Sequence, residues 1–333
     1  MTFTSLDDIF AAFSPLRVLI IGDVMIDSYV WGKVERISPE APVPVVRVTK
    51  KEKRLGGAAN VALNVQAMGA QPILCSIIGD DQDGEEFFHL LHKQQIPSNG
   101  IIKSKERMTT VKERVISGSQ QLVRVDSETD KDLSPLEEKT LLSHIINLLK
   151  EADVVIFEDY DKGALNPSII HQTIAKAREL GVPTVVDPKK RNFLAYNQAT
   201  VFKPNLKELK EGLKVEFGAD DFPRLLEATH RLQQELQADT VMVTLSERGV
   251  LIKDAKDHHH LPAHVRNIAD VSGAGDTVVS IAALCTALKL PSPFVAGLSN
   301  LGGGLVCEKV GVVPIDKQAL LAEAQKHALN QYL

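Results

Sequence analysis

Residues 270–288 read Asp-Val-Ser-Gly-Ala-Gly-Asp-Thr-Val-Val-Ser-Ile-Ala-Ala-Leu-Cys-Thr-Ala-Leu. The apolar second half, with its small residues, predicts a buried helix. Gly273 and Gly275 let the backbone turn tightly and approach a ligand where that helix begins. The amides of Ala274, Gly275 and Asp276 would then face outward at the positive end of the helix dipole, which predicts an anion site.

Asp276 lies just inside the predicted helix start, where the dipole favours an ionised carboxylate. Beside an anion site, such a carboxylate can orient and deprotonate a hydroxyl that attacks a phosphoryl group. A weak base suffices, because phosphoryl transfer depends mainly on positioning and charge neutralisation. The alternative is an ordinary helix cap, since Asp and Gly are common at helix starts. Two glycines before the Asp favour the catalytic interpretation.

The composition sets limits on the class of protein. The 333 residues, 44% of them hydrophobic, fit one large α/β domain or two small ones. The net charge of −5 argues against nucleic acid as the main partner. Cys75, Cys285 and Cys307 are too far apart for a zinc motif or a disulfide framework, which indicates a reducing, cytoplasmic setting. We also expect no signal peptide and no membrane span.

Two acidic residues follow the first predicted strand. The short apolar run at residues 17–22 is typical of a buried parallel strand. Asp23 and Asp27 would lie near its carboxyl end, where open α/β sheets bind ligands. A carboxylate there can accept hydrogen bonds from hydroxyl groups, which suits a sugar. The alternative for Asp23 is that it only caps the loop.

Two segments with alternating valines interrupt the succession of strands and helices. Residues 29–53 contain a proline-rich extended segment, and residues 107–126 contain two alternating runs around Ser-Gly-Ser-Gln, which predicts a hairpin. Together they predict a small β lid that would exclude water from the site. Exposed valines on this lid would need a partner, so we expect a homodimer formed through it.

A second glycine-containing segment, Arg-Leu-Gly-Gly-Ala-Ala-Asn at residues 54–60, precedes another helix-like run. Gly56 and Gly57 allow a ligand to approach the backbone, and Asn60 can donate and accept hydrogen bonds, which suits sugar hydroxyls. Taken alone, this segment is better explained as a turn. It lacks Gly-x-Gly-x-x-Gly, which disfavours a nicotinamide-dependent dehydrogenase.

The two glycine segments together strongly resemble the two signatures of the ribokinase-like (PfkB) sugar kinases. The resemblance extends from Val18 to about Pro314. It implies an α/β fold, a three-layer sandwich with a mostly parallel central sheet and a small β lid. It also implies a single kinase domain over residues 1–333, with the lid segments inserted.

Within this family, two further segments are similar to the heptose 7-phosphate kinases. They are Gly-Asp-Val-Met-Ile-Asp at residues 22–27 and Arg-Ile-Ser-Pro-Glu-Ala-Pro-Val-Pro-Val-Val at residues 36–46. Those enzymes phosphorylate the anomeric hydroxyl to give heptose 1,7-bisphosphate, on the way to the ADP-heptose of lipopolysaccharide. Because the sequence ends at Leu333, we expect the stand-alone form rather than one fused to a nucleotidyltransferase.

The resemblance implies roles for the matching positions. It implies that the catalytic residues are Gly273, Ala274, Gly275 and Asp276. Asp276 would be the base, and the amides of residues 274–276 would form the anion hole. The sugar would be held by Asp23, Asp27, Gly56, Gly57, Asn60, Asp159 and Lys162, and by Lys112 and Arg114 in the lid.

The lid cations point to a substrate with a distal phosphate. Lys112 and Arg114 lie in the hairpin, and an Arg can bind a phosphate through two parallel hydrogen bonds. The alternative is a solvated strand face. The related kinases tend to show Asp-Tyr-Gly-Lys-Gly where this chain has Asp-Tyr-Asp-Lys-Gly, so Asp161 departs from the pattern, as does Glu158. Both changes make the site more acidic and leave the exact sugar open.

The nucleotide half is assigned in the same way. Asp187 and Lys189 follow a predicted strand, and Lys189 could neutralise triphosphate charge, although a capped loop is an equal alternative. Asn205, Leu206, Lys207 and Glu208 match the family motif Asn-x-x-Glu, which is involved in magnesium and phosphate binding, here expected through water. Asn205 and Glu208 alone would predict a helix cap and its capping-box partner. The remaining nucleotide positions are Thr244, Ser246, Gly249 and Asn300.

The implied cofactors are ATP and Mg²⁺. Asp270 matches a position that often joins a monovalent cation site in this family, so K⁺ is a further candidate. The run His258-His259-His260 is not expected to bind a metal, because adjacent residues of a strand point to opposite faces. Rival interpretations are another sugar or nucleoside kinase of this fold and a catalytically silent sugar-binding regulator.

Overall fold

The computed structural model describes residues 3–118, 120–264 and 266–333. The strands are β1 (Arg17–Gly22), β2 (Val24–Ile37), β3 (Pro44–Gly57), β4 (Gln71–Gly79), β5 (Gly100–Ser104), β6 (Val111–Ser117), β7 (Gln120–Ser127), β8 (Val154–Glu158), β9 (Thr184–Asp187), β10 (Val201–Phe202), β11 (Thr240–Thr244), β12 (Val250–Lys253) and β13 (His258–Leu261). The α-helices are α1 (Leu6–Ala12), α2 (Ala58–Ala67), α3 (Gln82–Lys93), α4 (Pro135–Leu149), α5 (Pro167–Leu180), α6 (Leu206–Leu213), α7 (Phe222–Leu236), α8 (Ala274–Ala287), α9 (Ser292–Cys307) and α10 (Lys317–Lys326).

The larger sheet has the strand order β13-β12-β11-β10-β9-β8-β1-β4-β5. Its strands pair in parallel except at one edge, where β12 and β13 are antiparallel. One hydrophobic cluster joins one face of the sheet to α1, α2, α3, α8, α9 and α10, and a second joins the other face to α4, α5, α6 and α7. The predicted α/β sandwich with a mostly parallel central sheet is confirmed.

The first strand shows why its sequence is continuously apolar. Val18 and Ile20 of β1 belong to one cluster, whereas Leu19 and Ile21 belong to the other. Both faces of a central parallel strand are covered by helices, so neither face can be polar. Charged residues can therefore stand only at the two ends of this strand, which begins at Arg17 and is followed by Asp23.

The lid is a second sheet of four strands in the order β3-β2-β6-β7. Strands β2 and β3 pair antiparallel from Val24 opposite Gly57 to Ile37 opposite Pro44. Strand β6 pairs in parallel with β2 and antiparallel with β7, and Ser117 opposite Gln120 closes the predicted hairpin. The lid is directly continuous with the core: β2 follows β1 after one residue, and β3 is followed by α2 without an intervening loop.

Helices α2 and α8 pack against each other, which brings the two glycine segments together. Buried polar contacts fix their register: the Thr277 hydroxyl donates to Asn64 Oδ1 at 2.9 Å, and the Ser280 hydroxyl lies 3.4 Å from the Val61 carbonyl oxygen. Gly273 caps α8 with φ of 80°, in the left-handed region that favours glycine. A Cβ at this position would lie 3.1 Å from Asn60 Nδ2, so the close approach also requires glycine.

Candidate active site

The candidate site lies where the carboxyl ends of β1, β8 and β9 meet the first turns of α2 and α8. Glu158 and Asp187, the last residues of β8 and β9, stand directly opposite each other. Asp276, in the first turn of α8, is near enough for its charge to raise the pKa of Glu158. This is the location that strand topology predicts for a ligand in an α/β sheet.

Both oxygens of the Asp276 carboxylate accept hydrogen bonds. Asn60 Nδ2 donates to Oδ2 at 2.6 Å, and the Tyr160 hydroxyl donates to Oδ1 at 2.9 Å. Burial is the main reason that the pKa of Asp276 is raised, and the Asn60 hydrogen bond opposes this rise. The charge of Asp187 raises the pKa further, and the Tyr160 hydrogen bond lowers it. Burial thus counteracts the expected effect of the helix dipole and makes Asp276 a stronger base than an exposed Asp.

The amides that start α8 form only part of the predicted anion hole. The Ala274 amide donates to the Val271 carbonyl at 3.3 Å, closing a turn, so this amide is not free as expected. Within the described part of the chain, the amides of Gly275 and Asp276 have no such acceptor. A Cβ at Gly275 would lie 3.6 Å from Asp187 Oδ2, so the start of α8 lies beside the end of β9.

The Asp23 carboxylate binds the backbone of the loop after β8. Its Oδ2 accepts the backbone N–H groups of Tyr160 and Lys162 at 2.9 and 3.0 Å, and its Oδ1 accepts that of Ala164 at 2.9 Å. The side chain is buried. This geometry corresponds to the loop-capping alternative and uses three acceptor positions of the carboxylate, so the sugar contact of Asp23 stays a prediction.

The Asp159 carboxylate also accepts hydrogen bonds from within the protein. Its Oδ1 accepts the Asp161 N–H at 2.8 Å, and its Oδ2 accepts the Tyr196 hydroxyl at 2.8 Å and Asn192 Nδ2 at 3.3 Å. Burial, followed by the charge of Asp23, raises the pKa of Asp159 from 3.8 to about 6. Consecutive side chains at a strand end point to opposite faces, so Glu158 takes the side toward Asp187 and Asp276.

The two positions that depart from the family pattern differ in their surroundings. Glu158 is buried, and its Oε2 has no partner among the described residues. Burial and the charge of Asp187 raise the pKa of Glu158 well above its ordinary value. Asp161 adopts φ of 56°, which explains why glycine is usual there. The Asp161 carboxylate accepts the Arg191 N–H, so it adds less to the acidity of the site than expected.

The lid places cations at the edge of the site. Arg114 Nη1 lies 2.5 Å from Asp27 Oδ1, so these two predicted substrate residues neutralise each other. Lys162 Nζ pairs with Glu128 at 2.9 Å. Lys112, by contrast, forms no ion pair among the described residues; its Nζ lies 5.8 Å from the centroid of the Tyr160 ring. Burial lowers the pKa of Lys112, although Glu128 opposes this.

Two further lysines lie on the strand side of the site. Lys203 Nζ pairs with Asp187 Oδ2 at 2.9 Å, and both side chains are buried. Burial disfavours the charge of Lys203, but the charges of Asp187, Glu208 and Glu158 together with the hydrogen bond to Asp187 outweigh burial, and the pKa of Lys203 is raised. Lys189 Nζ pairs with Glu208 Oε1 at 2.8 Å. Sequence analysis missed Lys203, although it carries the same signal that identified Asp187 at the end of β9, a charged residue where a buried strand ends.

A family model described as pfkB family carbohydrate kinase matches residues 16–317, most of the 333-residue chain. The chain belongs to the pfkB family of carbohydrate kinases. It is therefore a phosphotransferase that acts on an alcohol group of a sugar, and membership implies ATP and a divalent metal ion.

The relatives and solved structures agree with this membership. The bifunctional protein HldE of Syntrophotalea carbinolica is 36% identical over 331 residues, which are 99% of this chain and 67% of that protein. The chain spans about two thirds of the length of the curated relatives it matches. Phosphofructokinase-2 from Escherichia coli in complex with potassium has a TM-score of 0.79 at 19% identity, covering 96% of this chain and 99% of that one.

A ribokinase is also similar in fold. Arabidopsis thaliana ribokinase complexed with ribose and ATP has a TM-score of 0.72 at 15% identity, covering 96% of this chain and 100% of that one. At these identities the likeness shows the fold alone, and it confirms the ribokinase-like fold.

Among the described residues of the kinase, no helix has the length and apolar character needed to cross a membrane.

On the nucleotide side of the kinase, Asn205 and Glu208 form a capping box at the start of α6. Asn205 Oδ1 accepts the Glu208 N–H at 2.9 Å, and Glu208 Oε2 accepts the Asn205 N–H at 2.8 Å. The side chains of their neighbours point elsewhere. Lys207 is 82% exposed with its Nζ 3.7 Å from Glu211, and Leu206 packs against the core. A nucleotide contact by either side chain is therefore not supported.

The other nucleotide positions are dispersed. Thr244 ends β11 beside Asn205. Ser246 is exposed, and a Cβ at Gly249 would meet the Leu261 carbonyl oxygen at 2.0 Å. Asn300 Nδ2 donates to the Pro262 carbonyl at 2.9 Å. Gly249 and Asn300 thus border the same segment after β13. The side-chain oxygen of Asn300 remains available to accept a hydrogen bond from a ligand.

Asp270 ties two loops together. Its Oδ1 accepts the Ser272 N–H and its Oδ2 the Gly311 N–H, both at 2.9 Å. The monovalent cation at this carboxylate stays a prediction.

His258 and His260 both lie near the Phe222 ring, as expected for alternate residues of a strand. The described residues contain no cluster of three metal-ligating side chains.

The buried Asp159 makes the stability of the kinase depend on pH. A carboxyl group with a raised pKa stabilises the folded state fully below its unfolded pKa of 3.8, and this contribution is lost as the pH rises through about 6. As the pH rises from 4 to 7, the free energy of unfolding should therefore fall less in Asp159→Asn than in the wild type. The difference should reach up to about 3 kcal/mol, measured by urea unfolding. Asp7→Asn, on the exposed face of α1, is the control. Parallel curves for Asp159→Asn and wild type would contradict this prediction.

Proposed function

We propose that the kinase transfers the γ-phosphoryl group of ATP to the anomeric hydroxyl of a heptose 7-phosphate, giving the 1,7-bisphosphate used in ADP-heptose synthesis. The observation that carries the reaction type is the convergence of a buried carboxylate, Asp276, with the free amides of Gly275 and Asp276 itself. The sequence resemblance to heptose 7-phosphate kinases and the similarity to HldE proteins support the choice of sugar.

In the proposed mechanism, Asp276 accepts the proton of the attacking hydroxyl. The hydroxyl oxygen bonds to the γ-phosphorus of ATP in a direct in-line transfer, and ADP leaves as the bond to its β-phosphate oxygen breaks. Its raised pKa suits this role, since a stronger base takes the proton more readily near neutral pH. The two free amides stabilise the charge that develops on the transferring group, aided by the helix dipole. Asn60 orients the carboxylate through its 2.6 Å hydrogen bond. The lid keeps water away from the phosphoryl group.

The nucleotide would lie along the carboxyl-terminal half of the chain. Lys189 supplies a partly exposed positive charge for the triphosphate, and Glu208 and Asn205 suit a magnesium ion held through water. Both Glu208 oxygens already accept hydrogen bonds, but each keeps a second lone pair, so an indirect contact fits the donor set. The ion would neutralise phosphate charge.

The distal phosphate is assigned to Lys112. It is a partly buried cation without an ion pair among the described residues, whereas Arg114 is already paired with Asp27. A buried cation without a partner is unfavourable unless a ligand supplies the negative charge. Lys162, which lies close enough to affect Lys112 electrostatically, would add to the site.

A different sugar phosphate or a nucleoside is the second candidate, favoured by one observation. The buried Glu158 oxygen without a partner adds a polar requirement that the family pattern does not contain. Coupled ADP release over heptose 7-phosphate, fructose phosphates, ribose and adenosine separates the candidates. Preference for an acceptor without a phosphate would reject the assignment of Lys112.

We also propose a homodimer formed through the lid. Val123 and Val125 of the edge strand β7 are half exposed and lie on one face. The double variant Val123→Lys/Val125→Lys should sediment as a monomer at concentrations where the wild type is a dimer. Leu136→Lys, at an exposed position on α4, should not change the sedimentation. A monomeric wild type would contradict the proposal.

Asp276→Asn tests the base. The amide keeps the size of the side chain and can still accept from Asn60, so we expect a folded protein with the thermal stability of the wild type or close to it. Turnover should fall by about 10²-fold or more, the usual effect of losing a general base. Near-full turnover in a folded variant would remove Asp276 from the mechanism.

Lys112→Ala tests the substrate class. Loss of a phosphate contact should chiefly raise KM for the phosphorylated sugar and leave kcat almost unchanged, because ground and transition states lose the same interaction. With the unphosphorylated sugar, the variant and wild type should have equal KM. Lys51→Ala, an exposed lid position, is the matched control for loss of charge. An unchanged KM for the sugar phosphate would refute the assignment.

A further inference from the structure

Tyr160 links three parts of the site. It follows β8, and its backbone N–H donates to Asp23 Oδ2 at 2.9 Å, which fixes the loop to the end of β1. From there the side chain reaches α8, where its hydroxyl donates to Asp276 Oδ1 at 2.9 Å. Sequence analysis gave this residue no role.

The Tyr160 ring lies close to both lysines that the proposed function gives to substrates. Lys112 Nζ is 5.8 Å and Lys189 Nζ 5.3 Å from the ring centroid. Burial, followed by the charge of Asp276, raises the pKa of the phenol well above its ordinary value. The hydroxyl therefore keeps its proton and remains a hydrogen-bond donor throughout the working pH range.

Two donors from different elements determine the orientation of the Asp276 carboxylate. Asn60 holds Oδ2 from α2, and Tyr160 holds Oδ1 from the loop after β8. A carboxylate held by one donor can still rotate about its bond to Cβ, whereas two donors on different oxygens fix its plane. Positioning of this kind matters because small misplacements of a reacting group reduce the rate strongly.

We propose that Tyr160 is a positioning residue of the phosphoryl transfer, whose phenol holds the Asp276 carboxylate in the plane from which it deprotonates the acceptor hydroxyl. This inference rests on the proposed role of Asp276 as the base. It does not depend on which sugar is the acceptor.

The Tyr160 hydrogen bond also affects the pH at which the Asp276 carboxyl group ionises. The groups that face Asp276 act in opposite directions: Asp187 and Glu158 disfavour its negative charge, while Lys203 favours it. The Tyr160 hydroxyl stabilises the ionised form and lowers the pKa of Asp276. Its removal should therefore raise that pKa, so that a higher pH is needed to ionise the base.

The test compares Tyr160→Phe with Tyr196→Phe. Both variants lose a phenol that donates to a buried carboxylate, but Tyr196 donates to Asp159 at 2.8 Å. In Tyr160→Phe, the acid limb of the kcat/KM profile should move up by about one pH unit, because a hydrogen bond to a charged group is lost. Its kcat at neutral pH should fall by about 10-fold through misplacement of the base. Tyr196→Phe should lose thermal stability and leave the acid limb in place.

An acid limb that stays in place in Tyr160→Phe overturns the proposal, even if thermal stability falls, since a purely structural role predicts that result. If Tyr160→Phe does not fold, 3-fluorotyrosine incorporated at all four tyrosines of the wild type provides the second measurement. Its hydroxyl is a stronger donor, so the acid limb should move to lower pH. No movement overturns the proposal.

The assays use the acceptor that gives the fastest ADP release in the substrate panel. A sugar other than heptose 7-phosphate would reject the proposed substrate and leave the comparison of Tyr160→Phe with Tyr196→Phe valid. Full turnover by Asp276→Asn would reject the base, and the Tyr160 proposal with it. The two failures are thus distinguishable.

Discussion

The candidate site depends on the hydrogen bond between Asn60 and Asp276, the first-turn residues of two packed helices. At 2.6 Å it joins segments that are 216 residues apart in the sequence. It forms because α2 and α8 lie against each other with small residues between them, and because Gly273 lacks a side chain where Asn60 approaches. The hydrogen bond satisfies a buried carboxylate that would otherwise be strongly disfavoured.

Charge balance extends this constraint across the strand ends. Glu158, Asp187 and Asp276 form an acidic group at the carboxyl edge of the sheet, and the nearby Lys203 is buried with them. The start of α8, with its free amides, lies beside Asp187. An anionic phosphoryl group can enter such a site only because fixed dipoles and nearby lysines offset the carboxylates.

Much of this arrangement was predictable from the sequence. The continuous apolar run of β1 and the glycines before α2 and α8 identified the sheet and the helix starts, because backbone geometry restricts which residues can stand there. The direction of side chains was less predictable. Asp23 and Asp159 were expected to face a sugar, yet backbone amides and Tyr196 donate hydrogen bonds to them, since a carboxylate at a strand end can serve either purpose. Tyr160 carried no pattern that separates it from ordinary loop residues, whereas Lys203 had a signal in its position directly after the buried strand β10.

The direct connection between lid and core has a mechanical consequence. Strand β3 passes without a loop into α2, and β2 leaves β1 after a single residue, so the two-stranded ribbon has its root at Val24 and Gly57. Asn60 lies three residues beyond Gly57, at the end of the ribbon that joins the core. A movement of the ribbon that reaches this end would therefore displace the side chain that binds the Asp276 carboxylate.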